Sequence, residues 1–228
     1  MGQAYSYTLG THTYKFKNLA QLMAKATPQR SGDRLAGVIA QSAQERAVAQ
    51  MTLADIPLKT FLNEVLIPYE DDEITRLIID EHDANAFMAI AHLTVGDFRN
   101  WLLSDFATPA VLASIRQGIT PEMAAAVSKI MRNQDLILIA KKCHVTSAFR
   151  NTIGLPGRLS TRLQPNHPTD DINGIAACML DGLLYGNGDA VIGINPATDN
   201  VAQAIKLMTL MDDVIQKYIK SPLASGED

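Results

Sequence analysis

Apolar and polar positions change their period along this chain, and the changes mark its organisation. Tyr5, Tyr7, Tyr14 and Phe16 alternate with Ser6, Thr8, Thr13 and Lys15 on either side of Gly10. A period of two interrupted by one glycine predicts a short hairpin. From there to about Val145 the period lengthens and the text is helical. Thr52-Leu53-Ala54-Asp55 and Thr94-Val95-Gly96-Asp97 have the spacing of capping boxes, with an acid where Glu or Gln is usual. Thr120-Pro121-Glu122 sets a cap, a first-turn proline and a first-turn acid in a row. Behind these starts come apolar positions at helical spacing, Phe98, Leu102 and Leu103 in one case and Met123, Val127, Ile130 and Met131 in another.

After Phe149 the pattern changes again. Ile153-Gly154-Leu155-Pro156-Gly157 is rich in breakers and predicts a loop, followed by a strand from Leu159 to Pro165. A helix is expected from about Asp170 to Tyr185, with Ile172, Ile175, Ala176, Met179, Leu180, Leu183 and Leu184 on its apolar stripe. Gly186 and Gly188 end it. Asp189 to Asn195 is then a mostly apolar run of strand length, as expected of a parallel strand buried on both faces. A last helix starts near Asp199, with Val201, Ala204, Ile205, Met208, Met211, Ile215 and Ile219 as its stripe. Strand, helix, strand, helix at this spacing is the pattern of βαβ units in a parallel sheet. Two strands make no stable parallel sheet, and a (β/α)8 barrel needs eight such units, so the pattern describes the first two. The expected fold class is α/β: residues 1–150 a mainly helical region with a short N-terminal hairpin, 151–220 the start of a barrel cut short, and 221–228 a flexible tail.

Composition adds exclusions. The chain of 228 residues is 47% hydrophobic and 19% charged, with a formal charge of -4. That balance is globular and exerts no general pull on nucleic acid or anionic membranes. Two cysteines, Cys143 and Cys178, make no disulfide framework and suit a reducing compartment. No signal peptide or membrane span is expected, so a cytoplasmic address is.

The candidate chemistry lies at the strand ends. Arg162 and Gln164 are two apart on the first strand and leave the same face of the sheet. Asn195 ends the second strand, immediately before Pro196. In a (β/α)8 barrel the active site is built at the C-terminal strand ends, so all three could share one pocket. A guanidinium can donate to an alcohol oxygen, and two carboxamides can accept from an ammonium or donate to an oxygen, which suits a small polar ligand.

Thr152-Ile153-Gly154-Leu155-Pro156-Gly157, Arg162-Leu163-Gln164-Pro165-Asn166, Asp170-Asp171 and Gly188 through Pro196 closely resemble the heavy chain of the ethanolamine ammonia-lyase family. So do Arg30-Ser31-Gly32-Asp33, Leu35-Ala36-Gly37, Gln44-Glu45-Arg46, Tyr69-Glu70-Asp71-Asp72 and Thr75-Arg76-Leu77-Ile78. The likeness runs from about Tyr14 to Tyr218. It implies a helical N-terminal region before a barrel, adenosylcobalamin as cofactor, ethanolamine as substrate and a light subunit as partner. Arg162 and Asn195 would hold the substrate hydroxyl, Gln164 the amine, and Pro196 would lie against the corrin. The implied reaction is a radical amino migration that gives acetaldehyde and ammonia, within the cytoplasm or a bacterial microcompartment. The acids that would hold the ammonium are expected on later strands, so this chain is expected to hold no catalytic residue and no metal ligand, and to be inactive alone. A non-catalytic assembly module, using the helical region and an open sheet edge, is the alternative.

Other groupings favour plainer readings. Glu70 to Glu73 and Asp80 to Asp83 suit helix starts and a solvated surface better than a metal. Cys143-His144 are sequence neighbours that point apart on a helix. Gly186, Gly188 and Gly193 make no dinucleotide fingerprint, and Trp101 is expected in the core. His167, beside the candidate pocket, stays open.

Overall fold

The computed structural model describes residues 3–143, 145–148, 152–188 and 191–219. They fall into two compact units, Met1–His144 and Val145–Asp228. The expected tail 221–228, the strand start Asp189-Ala190 and His144 lie outside the described residues.

In the first unit, β1 (Tyr5–Leu9) and β2 (His12–Phe16) pair antiparallel, with Tyr5 opposite Phe16 and Tyr7 opposite Tyr14. Gly10 turns the chain at φ +62, where glycine carries no steric penalty. Helices follow: α1 (Leu19–Ala26), α2 (Ser31–Leu35), α3 (Ala43–Ala54), α4 (Thr60–Asn63), α5 (Glu73–Asp80) and α6 (Ala84–Met88). After them come α7 (Val95–Leu103), α8 (Pro109–Ile115) with a 3-10 turn at Arg116–Gly118, α9 (Pro121–Lys129) and α10 (Asn133–Lys142). One core joins most of them, though α2 and α5 add no residue to it. Phe16 from the hairpin, Leu19 and Leu22 of α1, Val48 and Leu53 of α3, Phe98 of α7 and Met123 of α9 are all buried in it. Full burial of each such side chain stabilises the fold by about 1.5–3 kcal/mol.

Polar ties complete this unit. Glu64, just after α4, accepts from the Tyr5 hydroxyl at 2.7 Å and from the Leu19 amide at 2.8 Å, so one carboxylate joins the hairpin to the exposed first turn of α1. Burial first, and then the Glu64 carboxylate, push the Tyr5 hydroxyl well above the usual phenol range. Asp135 of α10 accepts from Arg99 of α7 at 2.7 Å and from Arg132 at 3.1 Å. Hydrogen bonds from Arg132 and then Arg99 hold its carboxyl well below the usual range.

The helix starts agree with the sequence in part. Thr94 and Asp97 form the expected capping box at α7, and Thr120 caps α9 ahead of Pro121. Thr52–Asp55 is a correction: Thr52 lies in the last turn of α3 and its hydroxyl donates to Val48 O at 2.8 Å, while Asp55 follows the helix. The true start is Ser42, whose side chain accepts from the Glu45 amide as Glu45 accepts from Gln41 N.

In the second unit, β3 (Ser147–Ala148) pairs antiparallel with β4 (Thr152–Ile153), where a plain loop was expected at Ile153. Then come β5 (Arg162–Leu163), α11 (Ile172–Leu184), β6 (Val191–Ile192) and α12 (Val201–Val214), which continues as a π turn, Ile215–Ile219. β5 and β6 pair in parallel, Arg162 with Val191 and Leu163 with Ile192. The unit is thus a mixed helix-and-strand fold with small sheets. Its core is Ile175 and Met179 of α11 against Leu207 and Val214 of α12, flanked by Ile192 and Ile194.

Four expectations are corrected here. The strands are much shorter than Leu159–Pro165 and 189–195. The second is not buried on both faces, since Val191 remains 47% exposed. The stripe of α12 is rotated: Leu207 and Val214 are buried while Val201, Ile205 and Met208 are exposed. On α11, Ile175 and Met179 are buried as expected, but Leu184 is exposed. A stripe wide enough to offer two faces does not say which one packs; the partner does.

Candidate functional site

The parallel pairing of β5 and β6 fixes the candidate site. Paired residues of parallel strands share a face, and faces alternate along each strand. Leu163 and Ile192 are opposite one another and turn toward α11: a methyl on Gly182 of that helix would come within 2.4 Å of the Leu163 side chain. Arg162 and its partner Val191 belong to the other face, as does Gly193, which lies against the Arg162 guanidinium. The Gly193 amide donates to Leu163 O at 3.0 Å, which carries the pairing one residue past the end of β6.

Arg162 lies across this second face. Its guanidinium passes so close to Gly193 that an added Cβ there would sit 2.8 Å from one terminal nitrogen and 3.2 Å from Nε. Gly193 is therefore the floor beneath the arginine head. Gln164 follows β5 directly and is exposed, as are Asn195 and Pro196 beyond β6. Because the strands run parallel, Gln164 and Asn195 leave the sheet at the same edge. The Asn195 amide donates to Oδ1 of Asn166 at 3.2 Å, so the two loops are joined beside the candidate residues.

Asp170, expected at the start of a helix and as part of an Asp-Asp pair, is instead buried in the loop before α11. It is 1% exposed and its φ is +54. Its carboxylate accepts from the Ala197 amide at 2.7 Å, the Thr198 amide at 3.0 Å and the Thr198 hydroxyl at 2.7 Å. The Ala197 amide first, then the Thr198 hydroxyl, hold it below the ordinary carboxylate range. Asp171 caps α11 by accepting from the Gly174 amide at 2.7 Å. Two acids before one helix exceed what a single cap needs, and that excess was the signal available in the sequence. His167 Nδ1 lies 3.1 Å from the Thr169 hydroxyl, which shapes the same loop.

The remaining groupings take the plainer roles. Asp72 caps α5 through the Thr75 amide, and Asp83 caps α6 through Asn85 and Ala86. Trp101 stacks on Phe98 at the edge of the core, and Cys143 is exposed. Among the described residues no cluster of three His, Cys, Asp or Glu side chains could hold a metal, and no helix is long and apolar enough to cross a membrane. The first unit has a separate apolar cavity of about 300 Å³, lined by Phe61, Leu62, Ile67, Ile78 and His82 among others. Its wall is mainly apolar, with Thr75, His82, Thr120 and Glu122 as the polar lining residues.

An α/β chain with a polar, solvent-facing edge at the ends of two parallel strands is the class of protein these observations define. Residues 14–223 match the ethanolamine ammonia lyase large subunit family, and the chain belongs to it. It is 43% identical over 211 residues to a protein of Escherichia coli strain K12 named ethanolamine ammonia-lyase large subunit, and 42% identical over 211 to the one of the same name from Salmonella typhimurium strain LT2. Each alignment covers 92% of this chain and 47% of the relative, so the chain spans about half the length of the curated relatives it matches.

Proposed function

We propose that this chain contributes the hydroxyl-holding side of an ethanolamine ammonia-lyase active site, in a large subunit that works with a small subunit and adenosylcobalamin. The observation that carries the reading is the parallel pairing of β5 and β6, with the Arg162 guanidinium over Gly193 and with Gln164 and Asn195 following their strands at the same edge. In this reading Arg162 and Asn195 donate to the substrate hydroxyl and Gln164 accepts from its ammonium. In this reading residues 1–150 are a mainly helical region with a short N-terminal hairpin, and 151–220 hold the first two strand–helix units of a (β/α)8 barrel. Such a large subunit would work in the cytoplasm or inside a bacterial microcompartment.

The fit to the cofactor rests on Pro196. It is an exposed, rigid, apolar ring next to Asn195, on a loop pinned by the Asn195 and Ala197 amides on either side. A flat macrocycle can rest on such an edge. When bound, adenosylcobalamin supplies the radical chemistry, and the residues of this chain orient the amino alcohol beside it.

The same geometry limits what the chain does by itself. Ethanolamine carries a positive charge, which in a water-poor site needs a carboxylate. Asp170 is saturated by three donors and Asp171 is spent on a cap, so neither acid of this loop is open to an ammonium, and ethanolamine held by Arg162, Gln164 and Asn195 alone binds weakly and without turnover. We therefore expect no ammonia release from these 228 residues mixed with small subunit, adenosylcobalamin and ethanolamine. Full-length large subunit in the same mixture should turn over, and Arg162→Ala within it should lower kcat/KM by about a hundredfold or more. Turnover by the 228 residues, or an Arg162→Ala enzyme of ordinary efficiency, would overturn this reading.

A further inference from the structure

We propose that Asp170 is the positioning residue of this site: its buried carboxylate clasps the loop after β6 and so fixes where Asn195 and Pro196 stand. The purpose of the clasp rests on the lyase reading; its geometry does not.

Asp170 belongs to the loop between β5 and α11, whereas every group it binds with its side chain belongs to the loop between β6 and α12. One carboxylate oxygen takes the Ala197 amide and the other takes both the amide and the hydroxyl of Thr198. Its own carbonyl accepts from Nε2 of Gln203, in the first turn of α12, at 2.6 Å. On the near side the Asn195 amide is held by Asn166. The dipeptide Asn195-Pro196 is thus fixed at both ends from the neighbouring βα loop. Asp170 is also the one non-glycine with positive φ among the described residues. An aspartate tolerates the left-handed region better than most residues, but at a cost that the surrounding bonds must offset. All of its side-chain partners are neutral donors, and hydrogen bonds to an ionised acceptor are roughly twice as strong as neutral ones. The carboxylate therefore acts as a fixed anchor between two loops that carry the candidate ligand groups.

The test is Asp170→Asn in the full chain, read by amide hydrogen exchange. The substitution keeps the shape but turns an NH2 donor toward a backbone N–H. Exchange at Asn195, Ala197 and Thr198 should accelerate by about tenfold or more, while Met179 in α11 and Leu207 in α12 keep their rates. Equal acceleration at Met179 and Leu207 would mean general loosening, and no change at Ala197 and Thr198 would mean no clasp; either overturns the proposal. Thr198→Val removes the hydroxyl donor alone, so a smaller acceleration at the same amides is expected, and its absence counts against the clasp even where Asp170→Asn does not fold. Ethanolamine is then titrated into the same samples. An affinity lowered by about tenfold in Asp170→Asn supports the positioning role, and an unchanged affinity overturns it. A wild-type chain that takes up no ethanolamine, while the exchange contrast holds, tells against the lyase reading and leaves the clasp standing.

Discussion

Phe98→Ala should lower the stability of the helical unit by about 3–5 kcal/mol, read as a drop in the urea midpoint with an unchanged slope. Phe98 is 1% exposed and lies where α3, α7 and α9 meet, stacked on Trp101 with ring centres 5.9 Å apart. Deletion of the ring costs its transfer from water and leaves a cavity. How far the cavity collapses decides the cost, and two backbone bonds oppose collapse here. Leu58 N donates to Leu93 O at 3.0 Å and Val95 N to Ile56 O at 2.9 Å, so the start of α7 is stitched to the chain after α3. Phe98→Leu keeps most of the volume and should cost less than about half as much. A loss under about 1 kcal/mol for Phe98→Ala would mean that the core is far looser than its burial indicates.

Gly118→Ala should be nearly as damaging, at about 3 kcal/mol, although it adds a single methyl. The glycine closes the 3-10 turn after α8 and is buried against α6. A Cβ there would sit 2.3 Å from Phe87 N and 2.7 Å from both Ala86 C and Phe87 Cα. All three are backbone atoms of a helix, which cannot swing aside as a side chain can. The turn would have to withdraw, straining the bond from Asp83 N to Gln117 O at 3.0 Å and the contact of His82 Nε2 with Gly118 O at 3.2 Å. Gly32→Ala is the matched control. It lies in α2 with nothing within 4 Å of the new methyl, and should gain about 0.5–1 kcal/mol. Thermal unfolding of the two variants side by side should move in opposite directions, and a Gly118→Ala midpoint equal to wild type would show the close approach to be unreal.

What the sequence made legible follows the range of the interactions involved. The alternation of Tyr5, Tyr7, Tyr14 and Phe16 and the caps at Thr94 and Thr120 depend on neighbours within a few residues, and the structure has them as elements at those places. Thr52-Leu53-Ala54-Asp55 has the same letters as a cap, yet the threonine hydroxyl is satisfied inside α3 by Val48 O. Spacing alone does not separate a first turn from a last one. The faces of α11 and α12 were harder still. Each carries enough apolar residues for two stripes, and the buried choice of Ile175, Met179, Leu207 and Val214 is made by their mutual contact. At the candidate site, the expectation that Arg162, Gln164 and Asn195 gather at one sheet edge rests on period two and strand direction, which the sequence carries, but of the three only Arg162 lies within a strand. The link from Asp170 to Ala197 and Thr198 could not, because it joins positions 27 and 28 residues apart by side-chain hydrogen bonds that no local pattern encodes.

The shared edge of β5 and β6 is tested most directly by titrating ethanolamine into the isotopically labelled chain and following its amide and guanidinium resonances. Shifts at Gln164, Gly193, Asn195 and Arg162 Nε, all lost in Arg162→Ala, are the expected result. Shifts confined to the cavity around Ile78 and His82, or spread with no dependence on Arg162, would contradict it.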